Sequence, residues 1–155
     1  MSLEVGDKAP DFSLPADSGG NVSLKELKGK TVVLYFYPKD DTPGCTAEAC
    51  AFRDQLPDFS KVKAVIIGVS KDSVASHDKF KSKFKLPFPL ASDADGKVCE
   101  ADGAWGEKSM YGKKYMGIER STFLIDANGV VRNIWRKVKV DGHAAEVLKA
   151  AGALN

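Results

Sequence analysis

The sequence predicts a mixed α/β fold, a central β-sheet flanked by helices, and three observations predict it. Two runs, Thr31 to Tyr37 (TVVLYFY) and Lys63 to Ser70 (KAVIIGVS), are β-branched and aromatic enough for strands buried on both faces. Each is followed by a segment with helical signals, and strand–helix alternation favours parallel pairing through crossovers. Asn128-Gly129, set between two further strand-like runs, is a strong hairpin signal and adds an antiparallel pair. A chain of 155 residues without repeats or a low-complexity linker is read as a single domain over 1–155.

The first 30 residues are rich in Gly, Pro, Asp and Ser and read as short strands and loops around the turn at Gly19-Gly20-Asn21. After the first buried strand, the segment Asp40 to Gly44 breaks the pattern. A helix follows, with Thr42 as N-cap, Pro43 at its first position and Glu48 in its opening turns, running to about Gln55 ahead of Pro57. Beyond the second strand, Ser73 to Lys85 reads as a helix, since Val74, His77, Phe80 or Lys81, and Phe84 recur at three- and four-residue steps. Its lysines, interspersed with Asp72 and Asp78, read as a solvated face. Leu86 to Ser92 is a Pro-interrupted strand or loop, Ala94 to Ala101 a short helix and Asp102 to Gly117 a long loop. Ser121–Asp126 and Val130–Lys137 flank the Asn-Gly turn, and a last helix capped by Asp141 runs to about Ala151, with Gly152 as its stop.

Composition removes several function classes. There are 23 basic against 21 acidic residues, a net charge of +2, so no field strong enough to define a nucleic-acid role is expected. No apolar run approaches the roughly 18–20 residues that cross a bilayer. Residues 1–12 carry Glu4, Asp7, Lys8 and Asp11 and do not read as a signal peptide, so the expected location is the cytoplasm. Three cysteines and two distant histidines offer no zinc-ligand spacing, and no Gly-rich phosphate loop is present, so neither metal nor cofactor is expected.

The odd cysteine count, Cys45, Cys50 and Cys99, fits free thiols in a reducing compartment. Cys45 falls where a buried strand yields to the first turn of a helix. Unpartnered N–H groups and the helix dipole there favour thiolate over thiol, and a thiolate attacks an electrophilic peroxide oxygen to leave a sulfenic acid. Position alone leaves open the alternative of a small buried hydrophobe.

The neighbours of Cys45 carry more information. Pro38, Thr42 and Cys45 form P-x3-T-x2-C within YFYPKDDTPGCTAEAC, and Arg120 precedes a core strand in GIERSTFLID. Together with VGDKAPDFSLP and WGEKSMYGKKYMGIERSTFLID, these segments resemble the peroxiredoxins over almost the whole chain, and most closely their bacterioferritin comigratory protein, or peroxiredoxin Q, branch. The resemblance implies a thioredoxin-like fold and reduction of hydrogen peroxide or organic hydroperoxides. Cys45 would be the nucleophile, Thr42 would place its hydroxyl beside the sulfur, Arg120 would stabilise the thiolate and the leaving oxygen, and Pro38 would shield the sulfur from water. Taken singly, Thr42 is also readable as a plain helix cap, Pro38 as a strand terminator, Arg120 as an ion pair with Glu119 or an aspartate, and Gly44 as serving either close approach to substrate or a turn.

A sulfenic acid is usually discharged by a second thiol. In part of the resembled branch the resolving cysteine stands at the position of Cys50. The alternative position in the next helix falls near Phe80–Lys81, where there is no cysteine. Cys99 reads as a buried structural thiol. The resemblance implies recycling by thioredoxin or a similar dithiol, and a monomer is common in the branch.

Overall fold

Strand β3 (Thr31–Phe36) is buried along its whole length, and the rest of the fold is arranged around it. A computed structural model of the chain describes residues 3–154, so positions 1, 2 and 155 of the expected 1–155 domain, and the start of the amino-terminal stretch 1–12, lie outside the described residues. In chain order the elements are β1 (Ser13–Pro15), β2 (Asn21–Ser23), β3, α1 (Pro43–Lys61), β4 (Ala64–Ser70), α2 (Val74–Phe84) and β5 (Leu90–Ser92). They continue with α3 (Lys97–Ala101), β6 (Trp105–Met110), β7 (Lys113–Ile118), β8 (Ser121–Ile125), β9 (Val131–Trp135) and α4 (His143–Gly152).

The main sheet has the order β5-β4-β3-β8-β9. β3 runs parallel to β4, and β4 to β5, while β8 lies antiparallel to both β3 and β9. This is the expected mixed α/β sheet flanked by helices. Successive side chains of β3 point to opposite faces. Val33, Tyr35 and Tyr37 pack with Phe52 and Phe59 of α1, Phe80 of α2 and Val147 of α4. Val32, Leu34 and Phe36 pack on the other face with Phe12, Leu14, Cys99 of α3 and Phe123. A residue in β4 shows how tight the first face is: Gly68 stands opposite Tyr35, and a Cβ there would lie 2.9 Å from the Tyr35 ring.

Four expectations are corrected. Helix α1 does not stop before Pro57 but runs through it to Lys61. Proline costs roughly 3 kcal/mol in a helix interior, and burying aromatic side chains recovers a similar amount each, so the completely buried Phe52 and Phe59 on either side hold the helix together. The expected loop 102–117 contains the β6–β7 hairpin, paired from Trp105↔Ile118 to Met110↔Lys113. Its strands carry three Lys and one Glu, and its turn is Tyr111-Gly112, both left-handed (φ 52° and 79°), so it lacks the alternation and the Asn-Gly signature that reveal a hairpin. The last helix is capped by Gly142 rather than Asp141, and Gly152 lies inside its final turn. One lysine of α2 departs from the solvated face: Lys81 is half-buried and pairs with Asp17 at 2.6 Å, whereas Lys79, Lys83 and Lys85 are exposed. Ser73 is the N-cap of α2, its Oγ accepting from Ser76 N.

No helix among the described residues is long and apolar enough to cross a membrane.

Candidate active site

The site forms where the end of β3 meets the beginning of β8. Because these strands are antiparallel, with Phe36 opposite Ser121, the loop leaving β3 and the residue entering β8 share one end of the sheet. That loop, Tyr37 to Thr42, leads into α1, and the entering residue is Arg120.

Thr42 is the N-cap of α1 and Pro43 its first residue, as the sequence indicates, but the Thr42 side chain does not cap a helix N–H. Its Oγ1 instead donates to Lys39 O at 2.8 Å, which leaves the hydroxyl lone pairs free to accept. Cys45 lies in the first turn, 2% exposed. Arg120 Nη2 donates to Cys45 Sγ at 3.3 Å, and Nη1 donates to Glu48 Oε1 at 2.6 Å. Arg120 is therefore paired with Glu48, not Glu119. Gly44 is explained by the same guanidinium. A Cβ on it would stand 3.1 Å from Arg120 Nη2, so the glycine serves close approach of the arginine. Pro38 sits half-buried between β3 and α1.

Glu48 was legible only as an acidic residue in the helix. Its spacing of three from Cys45 puts both on one face of α1, and this is the signal that could have found it. The carboxyl is 1% exposed, and its Oε2 has no hydrogen-bond partner among the described residues. Burial raises it from 4.5 to about 7 against the opposing charge of Arg120. Burial disfavours the charge of Arg120 in turn, but Glu48 and Cys45 facing it more than compensate, and the guanidinium is held above its ordinary value. Under the site lies Tyr35, fully buried, its hydroxyl without a hydrogen-bond partner among the described residues.

Cys50 lies further along α1, half-buried, and all three cysteines are free. Cys99 is fully buried on the opposite face of the sheet, its thiol pushed up first by burial and then by Asp93. Among the described residues, no group of three or more His, Cys, Asp or Glu side chains converges as metal ligands would.

The family model described as AhpC/TSA matches residues 5–134. This chain belongs to the AhpC/TSA family. As a peroxiredoxin it is 61% identical over 148 residues to a bcp protein of Coxiella burnetii, covering 96% of this chain and 98% of that one. It is 56% identical to peroxiredoxin Bcp of Bacillus subtilis, covering 96% and 95%. Among solved structures it resembles the Xanthomonas campestris bacterioferritin comigratory protein, studied for its alkyl peroxide reduction activity, with a TM-score of 0.88 at 50% identity over 92% of this chain and 91% of that one. The peroxiredoxin is thus of the Bcp, or peroxiredoxin Q, type, with a thioredoxin-like fold. It is a thiol-dependent peroxidase that takes a peroxide and a thiol reductant.

Proposed function

We propose that Cys45 is the thiol that reduces the peroxide, with Thr42, Arg120 and Pro38 completing the catalytic set and Cys50 resolving the product. The observation that carries this reading is the guanidinium of Arg120, brought from 75 residues along the chain to 3.3 Å from a buried sulfur in the first turn of a helix. A permanent cation with planar donors at that distance faces both the attacking sulfur and the oxygen that leaves.

The Cys45 thiolate attacks the terminal oxygen of hydrogen peroxide or an organic hydroperoxide. The S–O bond forms as the O–O bond breaks, and the leaving oxygen departs as hydroxide or alkoxide and takes a proton to become water or alcohol. Thr42, its own proton committed to Lys39 O, meets the peroxide as an acceptor and orients the hydroperoxide hydrogen. Cys45 is left as a sulfenic acid. The Cys50 thiol then attacks this sulfur, forming a disulfide and releasing water.

Both cysteines lie within the continuous helix α1. A five-residue step on a helix separates Cα atoms by about 8–9 Å, whereas a disulfide needs about 7 Å or less. The first turns of α1 therefore unwind before the bridge closes. The disulfide is returned to two thiols by exchange with an external dithiol, and thioredoxin is the proposed reductant.

Three free cysteines fit a reducing compartment, and we place the protein in the cytoplasm as a monomer with neither nucleic acid nor membrane as partner. In stopped-flow peroxide consumption, Cys45→Ser is expected to abolish turnover. Peptide mapping after one equivalent of peroxide is expected to find a Cys45–Cys50 bridge, and a Cys45–Cys99 bridge would overturn the role of Cys50.

A further inference from the structure

A second polar cluster is buried beside the site, and the mechanism above makes no use of it. Asp40, two residues before Thr42, and His77, in α2, are both buried, His77 completely. His77 Nδ1 lies 2.7 Å from Asp40 Oδ2, and His77 Nε2 lies 3.0 Å from Ala91 O. A carbonyl oxygen only accepts, so Nε2 carries a proton. The carboxylate of Asp40 also acts as an acceptor, taking Tyr37 OH on Oδ1 at 2.5 Å and Ser76 Oγ on Oδ2 at 2.8 Å. Asp40 and His77 are thus joined by a buried hydrogen bond, with Tyr37 OH also 3.4 Å from Nδ1.

The pair also clamps the loop that carries Thr42. Asp40 N donates to Asp72 Oδ2 at 2.8 Å, and that oxygen also accepts from Ser70 Oγ at 2.7 Å. Asp40 is thus held by its side chain to α2 and by its backbone to Asp72, two residues past the end of β4. Between this anchor and Thr42 stands only Asp41, in the left-handed region at φ 56°, a conformation that a non-glycine residue keeps only when its surroundings fix it. Thr42 Oγ1 is in turn set by Lys39 O, on the other side of Asp40.

We propose that His77 is a positioning residue: hydrogen-bonded to Asp40, it fixes the 38–42 loop and so places the Thr42 hydroxyl for peroxide. The proposal rests on the assignment of Thr42 and Cys45 above, which the Cys45→Ser experiment tests separately.

Its own test has two arms. His77→Gln is expected to lower the rate of Cys45 oxidation by peroxide about tenfold, while its alkylation by iodoacetamide, which does not use Thr42, changes less than about twofold. In a Thr42→Ala background the same substitution is expected to add no further loss with peroxide, because its target is already gone. An unchanged peroxide rate, equal losses in both reactions, or full additivity with Thr42→Ala overturns it. Asp40→Asn, read in the same way, replaces His77→Gln should that variant fail to fold.

Discussion

Glu48 holds Arg120 by a 2.6 Å ion pair, and that pair turns the other arm of the guanidinium toward Cys45. Two side chains on successive turns of α1 therefore share one cation. Arg120→Lys keeps the charge but cannot reach both with a planar fork. The peroxide rate is expected to fall roughly a hundredfold to a thousandfold, as read by stopped-flow with excess reductant. Retention of more than a third of the rate would show that charge alone suffices.

Gly44→Ala tests the same geometry from the backbone side. The added methyl stands 3.1 Å from Nη2, and the Glu48 anchor leaves the guanidinium little room to retreat. Displacement of the arm by a few tenths of an ångström is expected to slow peroxide reduction about tenfold with less than about 1 kcal/mol lost in stability. Urea unfolding beside the kinetics separates the two effects.

The Glu48 carboxyl makes stability depend on pH. Burial raises it from 4.5 to about 7, so the folded protein holds this proton more tightly than the unfolded chain does. The contribution is complete below about 4.5 and is lost as pH rises through about 7, on the order of 3 kcal/mol in all. Asp102 acts in the same direction, raised from 3.8 to about 7 by burial and by the charge of Asp93. Glu48→Gln and Asp102→Asn are each expected to flatten the decline in urea midpoint between pH 5 and pH 8. An unchanged slope in both would place these carboxyls nearer their ordinary values.

Gly68→Ala puts a methyl 2.9 Å from the ring of Tyr35, which Phe52 and Phe88 also contact. The ring is fully buried and cannot swing into solvent, so a loss of about 1–3 kcal/mol is expected, measurable as a lowered melting temperature. In a Tyr35→Leu background the same substitution is expected to cost less.

The legible part of this molecule is the part written in local pattern. β3, β4, the Asn-Gly hairpin and the start of α1 follow from residue type and spacing, and Arg120 stands out through the resemblance of GIERSTFLID to the peroxiredoxins. The β6–β7 hairpin stayed hidden because its charged strands carry no period-two signal. The Glu48–Arg120 pair and the Asp40–His77 pair were hidden for another reason. Each joins residues far apart in the chain, 72 and 37 positions respectively, and only the folded packing brings them together.

The antiparallel pairing of β3 with β8 also bears on synthesis at the ribosome. Cys45 emerges early, whereas Arg120 and the strand it leads into are made 75 residues later. Until that late strand docks beside the first, the nascent chain lacks the Arg120–Cys45 contact, and the proposed peroxide chemistry waits on the pairing of β8 with β3.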